Sequence, residues 1–242
     1  DITAAHARDR ASVDQRDRVL VPLLDHPRVR SGIAALTADH GESFGRNRMW
    51  WTHHGLYRDQ LHVPLSVVGP GVPEGVIVDA PVRMIDVGAT LLRLAGIPHE
   101  EHPSPPLDLA ATEVREPRFA QGFGGLKAAV EYEGWLLVMN LQDHEVFRVD
   151  RTFEKGALEL YRIEVDPGCS DDLSAREPER TERMRAALVR WLGNADPNGF
   201  ATAFNVSDAA RKRLVELGYV GNAESTNDGA WWSEGDDADE SR

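Results

Sequence analysis

The chain has 242 residues, of which 41% are hydrophobic and 28% charged, the mix of a globular protein with enough length for a sizeable core. No apolar run approaches the ~18–20 residues that span a bilayer, and a single cysteine, Cys169, excludes an intrachain disulfide framework and a cysteine-cluster zinc site. A formal charge of −13 argues against a nucleic-acid partner, because phosphate neutralisation needs surplus Lys and Arg.

In chain order, residues 8–24 predict a helix with Val13, Leu20 and Leu24 as apolar positions, which Pro22 is expected to kink or end early. A turn-rich DHPRVRSG (25–32) follows. IAALTA (33–38) is a short, continuously apolar run and predicts a strand buried on both faces, running directly into the polar DHGE. LSVVG (65–69) is a second such run, entered through Pro64 and closed by a GPG turn. Ile85, Ala89, Leu92 and Ala95 recur at helical spacing, stopped by Gly96 and Pro98. Strand, polar loop, strand and helix imply an α/β layer with a largely parallel sheet, whose ligands gather beyond the carboxyl ends of strands, where DHGE sits.

The Pro-rich HEEHPSPP (99–106) marks a boundary. After it, RFAQGF (118–123), LKAAVEYE (126–133), WLLVMN (135–140), EVFRVD (145–150) and LELYRI (158–163) predict short antiparallel strands. Pro178 opens a helix with Met184, Leu188 and Trp191 on its core face, ending near Gly193. Ser207 is expected to cap a last helix carrying Leu214 and Leu217 and stopped at Gly218. The expected organisation is an α/β part over 1–110, a smaller α+β lobe over 111–221, and an acidic, non-periodic tail over 222–242.

Two clusters carry the chemistry. In TADHGE (37–42), Asp39 offers carboxylate oxygen and His40 an imidazole nitrogen at a strand end, and Gly41 supplies backbone freedom for both to converge on a cation. The plainer alternative is an exposed Asp-His turn with glycine as loop former. In WWTHHGLYRDQLHVPL (50–65), His53, His54 and His62 accompany paired tryptophans. Trp50 and Trp51 read equally as packing residues and His62 as a surface residue, whereas His53 and His54 beside a metal loop suit anion binding or proton transfer near neutral pH. Lys127 reads as a solvated strand lysine, and Cys169, in DPGCSDD, as a surface turn without reactive-thiol context.

The order of these motifs resembles the C-terminal half of sulfatases, in the alkaline-phosphatase-like superfamily. LTADHGE (36–42), HHGLYRDQLHVPLSVVGPGVP (53–73) and PVRMIDVGATLLRLAGIP (81–98) match that family's strand–loop–helix signatures. WLLV (135–138), LELYRIEVDPGCSDDLS (158–174) and RKRLVELGYVG (211–221) are similar to its later segments, so the likeness covers roughly 8–221.

The resemblance implies an α/β alkaline-phosphatase-like sandwich followed by a smaller antiparallel α+β lobe. It implies hydrolysis of a sulfate ester of a small molecule or glycan, with Asp39 and His40 completing a divalent-metal site, calcium in sulfatases. His53, with His54 beside it, would touch the sulfate or protonate the leaving oxygen. Glu42 matches a motif residue without an assigned role. The family's C/S-x-P-x-R nucleophile motif, oxidised to formylglycine, does not occur in these residues, and neither do its other aspartate ligands. The chain is therefore expected to be the C-terminal portion of a sulfatase, with formylglycine in an absent N-terminal part and no sulfatase activity of its own. Two other readings stay open: a phosphodiesterase or phosphonate hydrolase of the same superfamily, and a non-catalytic binding or degenerate member. Oligomeric state is unassigned, and so is compartment, export being only a family analogy.

Overall fold

A computed structural model of the protein describes residues 2–45, 50–109, 116–145 and 152–194. The expected helix at 207–218 and the acidic tail over 222–242 lie outside the described residues, as does the boundary expected between 110 and 111.

The first part runs α1 (Ile2–Leu24), α2 (Pro27–Arg30), β1 (Ala34–Thr37), β2 (Ser43–Phe44), β3 (Trp50–Thr52), α3 (Arg58–Leu61), β4 (Leu65–Val68) and α4 (Ile85–Leu94). Pro22 does not end α1 early: it sits in the last turn, where the missing N–H removes one helical bond and the chain continues to Leu24. β1 and β4 are neighbours, as their matching apolar runs suggest, but they pair antiparallel, Ala34 opposite Val68 and Thr37 opposite Leu65. The parallel arrangement expected for the sheet is not found in this pair: the 38–64 connection carries the β2–β3 pair and α3 and returns β4 alongside β1 in the opposite direction. Nor is β1 covered on both faces, since Leu36 and Val68 remain exposed on this two-stranded sheet. α4 packs on β1, and Gly96, at φ +67, closes it in the left-handed conformation that glycine adopts without strain.

The second part runs β5 (Arg118–Gln121), β6 (Lys127–Tyr132), β7 (Trp135–Asn140), β8 (His144–Glu145), β9 (Thr152–Phe153), β10 (Leu158–Arg162) and α5 (Pro178–Gly193). Of the run expected over 145–150, only Glu145 is described, in the small β8–β9 pair. A four-stranded antiparallel sheet is ordered β10-β7-β6-β5. The tight β6–β7 turn places Glu133 and Gly134 at φ 49 and 77, between the paired Tyr132 and Trp135. Two successive positive φ values suit the right-handed twist of a hairpin, and Gly134 relieves one of them.

This sheet is buried on both faces. One face, with Val130, Leu137, Met139 and Leu160, takes Met184, Leu188 and Leu192 of α5. Trp191 packs at its margin, stacked on Phe119 with ring centroids 5.0 Å apart. The other face, with Ala129, Leu136, Val138 and Tyr161, takes Leu56 and Tyr57 from the first part of the chain. Among the described residues no helix is long and apolar enough to cross a membrane.

Two residues depart from their sequence readings. Lys127 is buried, its Nζ 3.3 Å from the Phe153 ring centroid, so an aromatic face replaces part of its hydration. Cys169 is buried too, at φ 50, packed in the core with Leu56 and Tyr57. Burial pushes its thiol up to about 11.

Two expectations follow. Leu188 is completely buried, so Leu188→Ala should cost about 2–5 kcal/mol in urea unfolding, with α5 loosened from the sheet. A thiol-specific disulfide reagent at pH 8 should leave native Cys169 unlabelled and label it fully in denaturant; rapid labelling of the native protein would contradict the buried, protonated thiol.

Candidate active site

β1 ends at Thr37 and delivers Asp39 and His40 into a loop that packs against α3. The contact is close: Gly41 N donates to Gln60 O at 2.8 Å, and a Cβ on Gly41 would lie 2.0 Å from Asp59 O. Only glycine brings this loop so near another backbone.

The loop sets the chemistry of His40. Its Nδ1 is 2.9 Å from Gly41 O, and because a carbonyl only accepts, Nδ1 carries the proton. In the neutral ring Nε2 is then the acceptor nitrogen, 3.8 Å from Asp39 Oδ2, while Asp39 Oδ1 accepts from His40 N at 3.0 Å. A carboxylate oxygen and an imidazole lone pair thus lie on the same side of the loop, the donor pair a divalent cation takes. The Asp39 side chain is 84% exposed and open to a ligand.

The second histidine cluster meets the first. The His53 ring stacks on His40 with centroids 4.4 Å apart, and His54 tilts against His53 at 4.8 Å. His53 Nδ1 lies 3.5 Å from Glu42 Oε2, which gives Glu42 an orienting contact that its motif position alone did not reveal. Asp39, His40, His53 and His54 all line one cavity of about 620 Å³, in the size range of small-molecule sites. His62 does not line it, and the Trp50 and Trp51 side chains lie outside the described residues.

Three further charged residues line the same cavity. Arg83 is held by Asp86 through Nε and Nη2 at 3.0 and 2.8 Å. Across the cavity, Arg118 on β5 pairs with Glu131 on β6 at 2.6 Å. No local motif marks Arg118. The available signal was alternation, which sets it with Ala120 on the face that receives the histidine segment.

The histidine segment is tied to the sheet from its far end. Tyr57, next to α3, donates its hydroxyl to Glu159 Oε2 at 2.8 Å, and Tyr161 donates to the same oxygen at 2.5 Å. Burial, with the Glu159 charge beside it, pushes the Tyr161 phenol far above its ordinary range.

Gly41→Ala is the sharpest test of the loop. Its Cβ would meet backbone, so the loop must move; the variant should lose at least about 2 kcal/mol of stability. The 4.4 Å stacking of His40 on His53 should also be lost, read as changed imidazole chemical shifts. An unchanged spectrum and stability would show that the loop is not held this tightly.

No protein-family model matches the sequence. A sulfatase of Formosa agariphila is 36% identical over 80 residues, which is 33% of this chain and 16% of that protein. Arylsulfatase K of Danio rerio is 34% identical over 80 residues, covering 33% of this chain and 15% of the relative. The matched stretch is thus about a sixth of the length of these curated relatives. A putative sulfatase from Bacteroides thetaiotaomicron superposes with a TM-score of 0.61 at 22% identity, over 79% of this chain and 42% of the other. A 2-O GAG sulfatase gives 0.59 at 22% identity, over 81% and 46%. The phosphonate monoester hydrolase of Silicibacter pomeroyi gives 0.55 at 21%, over 74% and 38%. Over some 80 residues the chain is homologous to sulfatases, and most of its length shares the fold of solved sulfatases and of a phosphonate monoester hydrolase.

Proposed function

We propose that this chain supplies the metal-loop and leaving-group side of a sulfuric ester hydrolase acting on a small-molecule or glycan sulfate ester. The observation that carries the reading is the convergence of Asp39, His40, His53 and His54 on one cavity, within a chain homologous to sulfatases.

The family implies a divalent metal, and the loop offers it two donors. Asp39 Oδ2 and His40 Nε2 fit as two ligands, because the Nδ1–H bond to Gly41 leaves the correct nitrogen free of a proton. Among the described residues no group of three or more His, Cys, Asp or Glu completes the set. Since calcium gathers six to eight oxygens, this pair alone binds it weakly. When bound, such a cation supplies positive charge against the negative charge that develops on the sulfuryl oxygens.

His53 and His54 act on the ester itself. The imidazoles hydrogen-bond a sulfate oxygen or give a proton to the departing alkoxide. Glu42 holds the Nδ1 side of His53, so Nε2 on the other side of the ring serves the substrate. The formylglycine nucleophile of sulfatases has no counterpart here, since the 242 residues contain no C/S-x-P-x-R motif. Cys169 is no substitute, being buried in the core.

The test is binding before turnover. Calorimetry should detect sulfate binding that depends on calcium and weakens about tenfold or more in His53→Ala/His54→Ala and in Asp39→Asn/His40→Ala. The chain alone should not turn over a chromogenic aryl sulfate. Sulfate binding indifferent to both double variants would overturn the reading. Preference for methylphosphonate with zinc or manganese would favour the phosphonate hydrolase instead, the reading to which the Silicibacter pomeroyi likeness lends support.

A further inference from the structure

We infer that Met84 is an oxidation site, and that its sulfoxide alters the loop bearing Asp39 and His40 through a hydrogen bond from Thr37. The chemistry of this thioether does not depend on which ester the site hydrolyses.

Exposure sets Met84 apart. The sequence has four methionines, of which Met49 lies outside the described residues. Met139 and Met184 are packed in the core at 4% and 7% exposure, whereas Met84 is 41% exposed. It lines both the histidine cavity and a second, mostly apolar cavity of about 550 Å³ beside it. Thioether oxidation follows access, because the oxidant must reach a sulfur lone pair. Leu61, Val63 and Val82 also line both cavities, so the border on which Met84 sits is largely apolar.

The sulfur is also a structural acceptor. Thr37 Oγ1 donates to Met84 Sδ at 3.4 Å, with Ala38 O at the same distance as an alternative acceptor. Thr37 is the last residue of β1, two before Asp39, and Met84 stands at the N-cap of α4, the helix that packs on β1. One side-chain contact therefore joins the exit of β1 to the start of α4, directly upstream of the metal loop.

The oxidant is a peroxide. The sulfur lone pair attacks one oxygen of hydrogen peroxide, the O–O bond breaks as an S–O bond forms, and the second oxygen leaves as water after proton transfer. Sulfur loses two electrons and the peroxide gains them. A thioether is a weak acceptor, whereas the sulfoxide oxygen is strongly polar. That oxygen draws the Thr37 hydroxyl away from Ala38 O and sets a dipole on an apolar border, where it must find hydrogen bonds or water. The exit of β1 has to adjust, and the Asp39–His40 loop moves with it.

The test treats the full chain with hydrogen peroxide and a metal chelator and follows oxidation by peptide mass mapping. Met84 should be converted at least about tenfold faster than Met139 and Met184. The His40 and His53 imidazole shifts should move as Met84 sulfoxide accumulates, and return after treatment with the two methionine sulfoxide reductases. Met84→Leu, a swap that nearly conserves volume, should remove the response. Thr37→Val should keep the Met84 oxidation rate within about twofold yet shrink the imidazole response at least about threefold, because the hydroxyl that transmits it is gone. Equal oxidation rates for the three methionines would overturn the proposal. So would imidazole shifts that ignore Met84 oxidation, or that move as far in Met84→Leu or Thr37→Val as in the wild-type chain.

Discussion

The hydrogen bond from Tyr57 to Glu159 joins residues 102 positions apart and holds the two parts of the chain in one piece. Glu159 is a buried carboxylate on β10, and such a group is tolerated only with donors aimed at it. Tyr57 and Tyr161 supply them from opposite sides of the interface, with their rings in edge-to-face contact at 5.9 Å. Because Tyr57 stands only three residues after His54, fixing the phenol fixes the histidine segment. Gln60 extends the restraint: its side chain accepts from Tyr57 N at 3.1 Å, and its carbonyl accepts from Gly41 N. A continuous set of hydrogen bonds therefore runs from the sheet, through Tyr57 and Gln60, to the loop bearing Asp39 and His40.

That arrangement explains why the site was more legible in the sequence than its surroundings. Asp39 and His40 lie in one short motif and His53 and His54 in another, and local spacing is what a motif records. Their meeting in space depends on a glycine that admits close backbone approach, and Gly41 is visible in the motif itself. The helices around Leu92 and Leu188 were equally legible, since amphipathic spacing and Gly or Pro stops are local signals. The direction of β4 relative to β1 was not, because apolar runs look alike whichever way the chain returns. Lys127 and Cys169 were misplaced for a related reason: burial of a lysine over Phe153, or of a cysteine at positive φ, is decided by neighbours far away in the chain.

Net charge and local charge also diverge. The composition is acidic, yet Arg83 and Arg118 line the histidine cavity. Only tertiary structure shows which of these charges are spent. Asp86 engages Arg83 and at the same time accepts from Ser104, tying α4 to the Pro-rich connector, so Arg83 is committed to architecture. Arg118 is anchored on Glu131, a carboxylate that Arg58 also approaches.

The histidine stack imposes a final physical constraint on the site. The two imidazoles, with centroids 4.4 Å apart, meet different partners on their edges. The Gly41 carbonyl settles the proton on Nδ1 of His40 and leaves Nε2 as the acceptor nitrogen. Glu42 places its Oε2 3.5 Å from Nδ1 of His53. The two rings are thereby given different electrostatic surroundings by residues no more than two positions from His40 in the chain. Close packing of Gly41 on α3 holds the loop that carries both groups.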